Sequence, residues 1–509
     1  MRVLDTARRP MPWLRSRGLY SLLVVALPAI LLWPYRQAGL VSDDIFFVGL
    51  YAPGSWASVI LGPWPHSMGA TVAWRPLVLA SYVFSASWLP VANSAESHRL
   101  FNFLLHGLNA WALCGLTTRL VGSTAAGLLA ACLFVVHPIS HESVMWISGR
   151  TFPLVAFFGL LLLWWTTGHR HRQPWLQHSV GLIVFLLALA SYEFAVILPA
   201  LVGLTAVVAT PSGHRSVRGT SAFIAPYGGL LVLYLAFRWL WLSELDSDVV
   251  VVARASESAV AGRVWFRIAR NSLFAAVRLC AWPWFPRGSE ITMDVTGALS
   301  TAVVVIAFVS VVSKAATRRI GVYWSAFSVV WFLPVAAYIG FSDRLGYMSA
   351  AGVAALIAVF TTSRLLRGWP DACGWLLVVS MGLAWTLAQR GHASDWVRAG
   401  ALAERIVADA VAREPGPTTP TELHFVNVPQ RERSALVFLT YFPQALWSRY
   451  DDGARRNVTI AMHWEAIDVV LGRLKSQAIV TPTRVYEWNR SRETFELQYD
   501  ALALPSRQN

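Results

Sequence analysis

"LIVFLLALASYEFAVILPALV", residues 182–202, decides how this chain is laid out. It is the centre of one apolar stretch, 178–210, interrupted only by Glu193. As a single span, the stretch buries a carboxylate in mid-membrane, at a cost of about 2.5–3.5 kcal/mol or more. As two short spans that turn at Glu193, it brings the acid to the membrane surface, and that cost falls away. The second reading also changes the parity of the chain, and with it the side on which the tail emerges.

The surrounding composition supports spans on either side. Of 509 residues, 56% are hydrophobic and only 14% charged, and the mean hydropathy is +0.50. That is a polytopic α-helical membrane protein by composition. The N-terminus is basic, and its apolar run continues into bulky "WPYRQ" at 33–37. This reads as a retained first span, not a cleaved signal. With about 20 apolar residues per crossing, spans are expected at 19–37, 99–118, 121–137, 151–167, 178–191, 194–210, 221–242, 297–313, 321–340, 346–363 and 372–389. That makes about eleven transmembrane helices. Residues 264–282, which carry Arg267, Arg270 and Arg278, suit an interfacial amphipathic helix better. So does 74–90, "WRPLVLASYVFSASWLP".

The positive-inside rule tests this layout. With the N-terminus inside, the inner segments hold Arg2, Arg8, Arg9, Arg15, Arg17, Arg119, Arg170, Arg172, Arg215, Arg218, Lys314, Arg318, Arg319, Arg364 and Arg367, against only Asp5 and Asp371. An odd number of crossings then puts the C-terminus outside. Residues 1–390 form the membrane domain. Residues 391–509 have ordinary charge density and alternating runs such as "ELHFVNV" and "RETFELQY", which predict a small soluble α/β domain on the outer side. The net charge of +14 is scattered between apolar runs, which excludes a nucleic-acid partner. Only Lys314 and Lys475 among 42 basic residues are Lys, a usage that points to a GC-rich bacterial genome and so to a bacterial plasma membrane. The four Cys are far apart, form no metal spacing, and are expected as buried free thiols.

Sorting polar residues by side gives the functional signal. Asp43 and Asp44, in "VSDDIFF" (41–47), open the first outer loop. His98, Asn102 and His106 are spaced i, i+4, i+8 and line one helix face over roughly 12 Å. His137, His141, Glu142 and Arg150 lie in "HPISHESVMWISGR" (137–150), Glu193 at its turn, and Asp343 and Arg344 in "SDRLGY" (342–347). All gather on the outer side. Each has a structural alternative: the acid pair as a loop start or helix cap, the His/Asn stripe as interhelical hydrogen bonding, Glu142–Arg150 and Asp343–Arg344 as local ion pairs. Acids, Arg and His at one face beside large apolar spans suit a lipid-linked substrate. Arg neutralises a phosphate, and a carboxylate acts as base towards a hydroxyl.

In this order the motifs resemble a known family. The acidic pair is followed by "WRPL" (74–77), "HRLFNFLLH" (98–106), "HPISHESVMWISGR", "SYEFAVILP" (191–199), "DRLGYMSAAG" (343–352) and "HASDW" (392–396). Residues 19–396 resemble the transmembrane and TPR-repeat-containing O-mannosyltransferases and their bacterial relatives, within the GT-C superfamily of polyprenyl-phosphate-sugar-dependent glycosyltransferases. The resemblance implies inverting transfer of a sugar from a polyprenyl phosphate to a glycan or protein hydroxyl on the outer face. It implies Asp43 or Asp44 as base, Arg344 towards the donor phosphate, and His137, Glu142, Arg150 and Arg75 as matching motif residues. A divalent cation (Mg or Mn), if used, would sit at Asp43 and Asp44. Tyr192 stands where the family often has Lys, Asp343 where it often has Glu, and no TPR array follows. The competing readings are a lipid-linked-sugar transporter and a non-catalytic envelope assembly protein.

Overall fold

In a membrane every backbone group must be satisfied within the segment, so the long apolar runs rich in Leu, Val and Ala fold as helices. The computed structural model describes residues 17–50, 74–88, 94–168, 174–210, 216–244, 315–336, 342–363, 371–438, 441–476 and 481–501, with short helical pieces at 271–272, 279, 304–309 and 311–313. The first part is helical: α1 (Arg17–Leu32), α2 (Asp44–Leu50), α3 (Pro76–Trp88), α4 (Ser94–Val121), α5 (Thr124–Val136), α6 (His141–Met145), α7 (Thr151–Gly168), α8 (Pro174–Leu189), α9 (Leu198–Ala209), α10 (Val217–Glu244), α11 (Ala315–Ala336), α12 (Tyr347–Thr362) and α13 (Asp371–Arg413).

Packing centres on α4 and α12. Helix α4 touches α1, α5 and α7, while α12 is wedged between α5 and α11 and is buried along nearly its whole length. Gly107 lets α1 and α4 meet, since a Cβ there would lie 2.0 Å from the Val25 carbonyl oxygen. Small residues at such crossings are what lipid-embedded helices use to approach. Helix α5 starts at a Ser123 cap whose side chain accepts from the Ala126 N–H, and it ends at His137 before Pro138, which has no N–H to continue the ladder.

The apolar stretch 178–210 does break near Glu193: α8 ends at Leu189, a 3-10 turn spans Glu193–Ile197, and α9 follows. Every expected span falls largely on helix where it is described; within 297–313 the described residues, 304–309 and 311–313, are helical. The expected count of eleven crossings is not reproduced. Among the described residues five helices are long and apolar enough to cross a membrane: Gly18–Tyr35, Ala95–Val121, Ser148–Thr167, Val217–Leu240 and Asp343–Thr362. A sixth is Thr124–Val136 with Pro138–Met145, if that pair, bent by 55°, is one span. The physical reason is length: Trp175–Leu189 and Glu193–Ala209 are apolar but short. Residues 74–90 give the short helix α3, whereas the amphipathic helix expected at 264–282 lies almost wholly outside the described residues. Cys114 is buried as expected, but Cys132 is exposed.

The tail follows without a break. Helix α13 is 43 residues long and passes straight through residue 391, where the sequence suggests a domain boundary. Beyond it lie β1 (Thr421–Val426), a hairpin of β2 (Arg431–Glu432) and β3 (Ala435–Leu436), α14 (Phe442–Trp447), α15 (Asp452–Asn457), β4 (Val458–His463), α16 (Ile467–Lys475), β5 (Thr483–Asn489) and β6 (Thr494–Ala501). The sheet order is β4-β1-β5-β6, with β1 parallel to β4 and β5, and β6 antiparallel to β5. Phe425, Phe438, Phe442, Tyr486 and Phe495 pack ring on ring beneath it. This is the expected small α/β unit.

Candidate active site

The acid pair occupies a constrained loop between α1 and α2. Ser42 has φ +50°, in the left-handed region that non-glycine residues rarely adopt. Its N–H donates to the Val437 carbonyl of the tail at 2.7 Å. Asp44 then opens α2, its N–H bonded to the Val41 carbonyl at 3.0 Å. One oxygen of Asp44, Oδ1, accepts from the Ser148 N–H (2.9 Å) and hydroxyl (3.0 Å). The other, Oδ2, is buried without a hydrogen-bond partner among the described residues, as is Oδ1 of Asp43. Burial, then the charge of Asp44, pushes the Asp43 carboxyl up to about 7, with Ser148 and Arg344 acting the other way. Burial likewise raises Asp44 to about 6, opposed by Arg99 and Ser148. Two adjacent acids in this state resist carrying both charges at once near neutral pH.

Arg344 lies towards this pair. Its guanidinium sits 4.5 Å over the Trp146 ring and remains a quarter exposed. Glu142 fixes the turn that carries it: Oε1 accepts from the Ser342 hydroxyl at 2.5 Å, Oε2 from the Arg344 backbone N–H at 3.3 Å, and Oε1 lies 3.7 Å from Arg344 Nη1. The neighbouring Asp343 accepts from His141 Nε2 at 3.0 Å. His141 Nδ1 in turn receives the Trp396 indole N–H at 3.0 Å. Indole only donates, so these contacts place the proton of a neutral His141 on Nε2. His392 stacks on the same ring at 4.5 Å.

Other predicted residues are brought elsewhere. Arg150 is fully buried and donates to the carbonyls of Ser81, His98 and Ile147 and to the Ser85 hydroxyl, with its guanidinium over Tyr82. The Glu142–Arg150 ion pair does not form; Arg150 points into the α3–α4 crossing, and Glu142 takes Arg344 instead. Likewise Asp343 pairs with His141, not with Arg344. The His/Asn stripe does line one face of α4, and all three members are buried. His98 Nδ1 bonds the Ser85 hydroxyl (2.5 Å), and Asn102 donates to the carbonyls of Val144 and Trp146. His106 meets the Tyr347 hydroxyl (2.7 Å) and the Val135 carbonyl (3.2 Å). They stitch α4 to its neighbours. His137 caps its own turn by accepting from the Ile139 N–H and packs on Trp385.

Arg75 and Glu193 form a second cluster. Arg75 Nε reaches both Glu193 oxygens at 3.2 and 3.1 Å, and its guanidinium lies 4.4 Å over the Tyr192 ring. Arg238 of α10 adds a contact to Glu193 at 3.0 Å. A second cation thus reaches this acid from another helix, although position 192 is Tyr. Four residues that sequence reasoning missed belong beside the sites: Arg238, Ser148, Tyr82 and Arg99. Arg238 had a signal, being a charge inside an apolar span. Arg99 is wholly buried and donates to the carbonyls of Arg36, Ala38, Gly39 and Met145, stapling the loop that leads to the acids.

No protein-family model and no curated protein sequence matches this chain. It is similar to solved structures. One is the Archaeoglobus fulgidus oligosaccharyltransferase in the apo form, at 12% identity and a TM-score of 0.45, over 88% of this chain and 65% of that one. The same enzyme in complex with Zn and sulfate gives 12% identity and a TM-score of 0.44, over 79% and 60%. ArnT from Cupriavidus metallidurans in the apo state gives 12% identity and a TM-score of 0.38, over 93% and 94%. The chain therefore spans less than two thirds of the length of the oligosaccharyltransferase chains it matches.

Proposed function

We propose that this chain is a membrane glycosyltransferase that moves a sugar from a polyprenyl phosphate to a hydroxyl acceptor with inversion, on the outer face of a bacterial plasma membrane. The observation that carries the reading is the acid pair: two adjacent carboxylates, each with a buried oxygen that nothing in the described residues hydrogen-bonds, beside an arginine held by its own acid. Such oxygens are costly to keep for structure alone. Both acids feel Ser148, but Asp44 accepts its N–H and its hydroxyl and opens α2, and Asp43 is assigned as the base. Asp43 takes the acceptor hydroxyl proton, and the oxygen attacks the anomeric carbon. The bond to the lipid phosphate breaks with its electron pair on the phosphate, and Arg344 balances that charge. A base held near 7 matches its task at neutral pH.

A divalent cation fits the donor set in part. The unpartnered oxygens of Asp43 and Asp44 would hold it, but no third His, Cys, Asp or Glu joins them among the described residues. Mg²⁺ is commonly bound by one or two carboxylates plus substrate phosphates, and when bound it would neutralise phosphate charge.

The test is release of polyprenyl phosphate by the purified chain from a panel of polyprenyl-phosphate hexoses and pentoses, with a panel of glycan and peptide hydroxyl acceptors, in detergent and without a gradient. Wild type should turn over, and Asp43→Asn should lose about 10²- to 10⁴-fold. An Asp43→Asn protein that works at full rate sinks the assignment.

A further inference from the structure

The tail touches the acid loop at several independent points. The hairpin 429–438 is closed by Val437 N–H to the Gln430 carbonyl (2.9 Å) and Phe438 N–H to the Pro429 carbonyl (3.2 Å). Its base supplies the Val437 carbonyl that holds the Ser42 N–H, the residue before Asp43. Its tip is tied to α13: the Ser434 hydroxyl donates to Asp395 Oδ2 at 2.7 Å and lies 2.8 Å from His392 Nδ1. Asp395 is itself buried and paired with Arg398. Further along α13, Gly400 lies backbone to backbone against Gly39 of the same acid loop; a Cβ on Gly400 would sit 2.5 Å from the Gly39 nitrogen. Helix α14 packs on α2, which Asp44 begins. Trp396, between these contacts, is the donor that orients His141 and through it Asp343, next to Arg344.

We propose that the hairpin 429–438 and the α13 segment 392–400 are the positioning element of the acid pair. The proposal rests on the glycosyl-transfer reading. A Ser42 held at φ +50° needs something to hold it, and the Val437 carbonyl is the partner present. Clamped at its tip by Asp395 and His392, the hairpin presents that carbonyl at a fixed place. The same helix seats both sides of the site, the acids through Gly400 and the arginine through Trp396. The C-terminal domain is thus built into the reaction centre, and its sheet need not bind anything for the tail to be required.

The test uses the full-length chain and variants remote from the reacting groups. Gly400→Ala forces Gly39 to move, and Ser434→Ala removes the tip clamp, while Ser434→Thr keeps the hydroxyl. Two readouts are taken: kcat and KM for the polyprenyl-phosphate sugar, and amide hydrogen exchange over residues 41–45. A displacement near 1 Å at a reacting group costs about 10²-fold. The expected result is a kcat roughly tenfold to a hundredfold lower in Gly400→Ala, and about tenfold lower in Ser434→Ala with donor KM unchanged. Exchange at Ser42 should be faster in both, and Ser434→Thr should be near wild type. Unchanged exchange at Ser42 in both variants overturns the proposal, and so does unchanged kcat with faster exchange. If wild type transfers no sugar, the functional reading fails, and the exchange result alone decides the positioning claim.

Discussion

Asp43→Asn should disable the chain and at the same time stabilise it. The native fold pushes the Asp43 carboxyl from 3.8 up to about 7, by burial first and the Asp44 charge second. Three pH units correspond to about 4 kcal/mol. Asp43 is only part-buried and shares its charge with Asp44, so about 1–3 kcal/mol is the fair expectation. The unfolded carboxyl ionises through 3.8 and the folded one through about 7. Below the lower value both states are neutral and the cost is absent. Above the upper value the fold must carry the charge, and the whole cost is present. Removing the charge therefore gains nothing near pH 3.5, part of the stabilisation at pH 5.5 and all of it at pH 8.5. Thermal unfolding in one detergent at one scan rate, at pH 5.5 and 8.5, measures this as a rise in Tm of a few degrees that grows with pH. The fixed scan rate matters because membrane proteins of this size unfold irreversibly. A Tm that falls at pH 8.5 refutes the reasoning, because Asp43 would then be a structural acid.

Three other outcomes follow from the same geometry. The rate should fall about tenfold per pH unit below the upper carboxyl value of about 7; Asp44→Asn should move that limb to lower pH and Arg344→Ala to higher pH, read from pH–rate profiles. Arg344→Ala should also weaken donor binding by about 10- to 100-fold, as expected for loss of a charge-assisted contact, and titration with the donor checks it. Arg150→Ala should cost about 3–5 kcal/mol of stability, because it removes a fully buried side chain and its hydrogen bonds to Ser81, Ser85, His98 and Ile147 from the α3–α4 crossing, yet the folded fraction should keep its donor affinity; a ligand-binding titration beside a melting curve separates the two.

Helix placement was legible because apolar composition over about 20 residues is a coarse and robust signal. Even the turn at Glu193 was legible, since a mid-membrane acid is expensive. The number of crossings was not, because composition does not say where an apolar run stops being straight. The 55° bend at His137–Pro138 and the short helices either side of Glu193 are tertiary outcomes. The helical character of "ALAERIVADAVAR" was legible; its unbroken continuity with the apolar run before it was not, because composition changes there without a change in helix propensity. In the site, Asp43, Asp44, Glu142 and Arg344 stood out as charges in an apolar chain. The role of Arg150 did not, because a long side chain reaches carbonyls several residues away in directions that spacing does not encode. Arg99 was hidden next to the His/Asn stripe, although it faces the acid loop and the stripe faces the helices.

What remains is why a protein would keep the acid loop in this form. Ser42 at φ +50°, two buried carboxylate oxygens without partners among the described residues, and two like charges side by side are each unfavourable. Each has a neighbour that opposes it: Val437 holds Ser42, Ser148 takes one oxygen of Asp44, and Arg99 and Arg344 lower the charge cost. None of these neighbours removes the unpartnered oxygens. An Asn–Asn or Ser–Asn loop would keep the turn, the α2 start and the Ser148 contact at lower cost. The unpartnered oxygens are what the proposed reaction would use, to take a hydroxyl proton or to hold a cation. On that reading the stability gain of Asp43→Asn and its loss of activity are one prediction, and an Asp43→Asn protein that stays active, or loses stability, favours a helix cap or a solvated loop start instead.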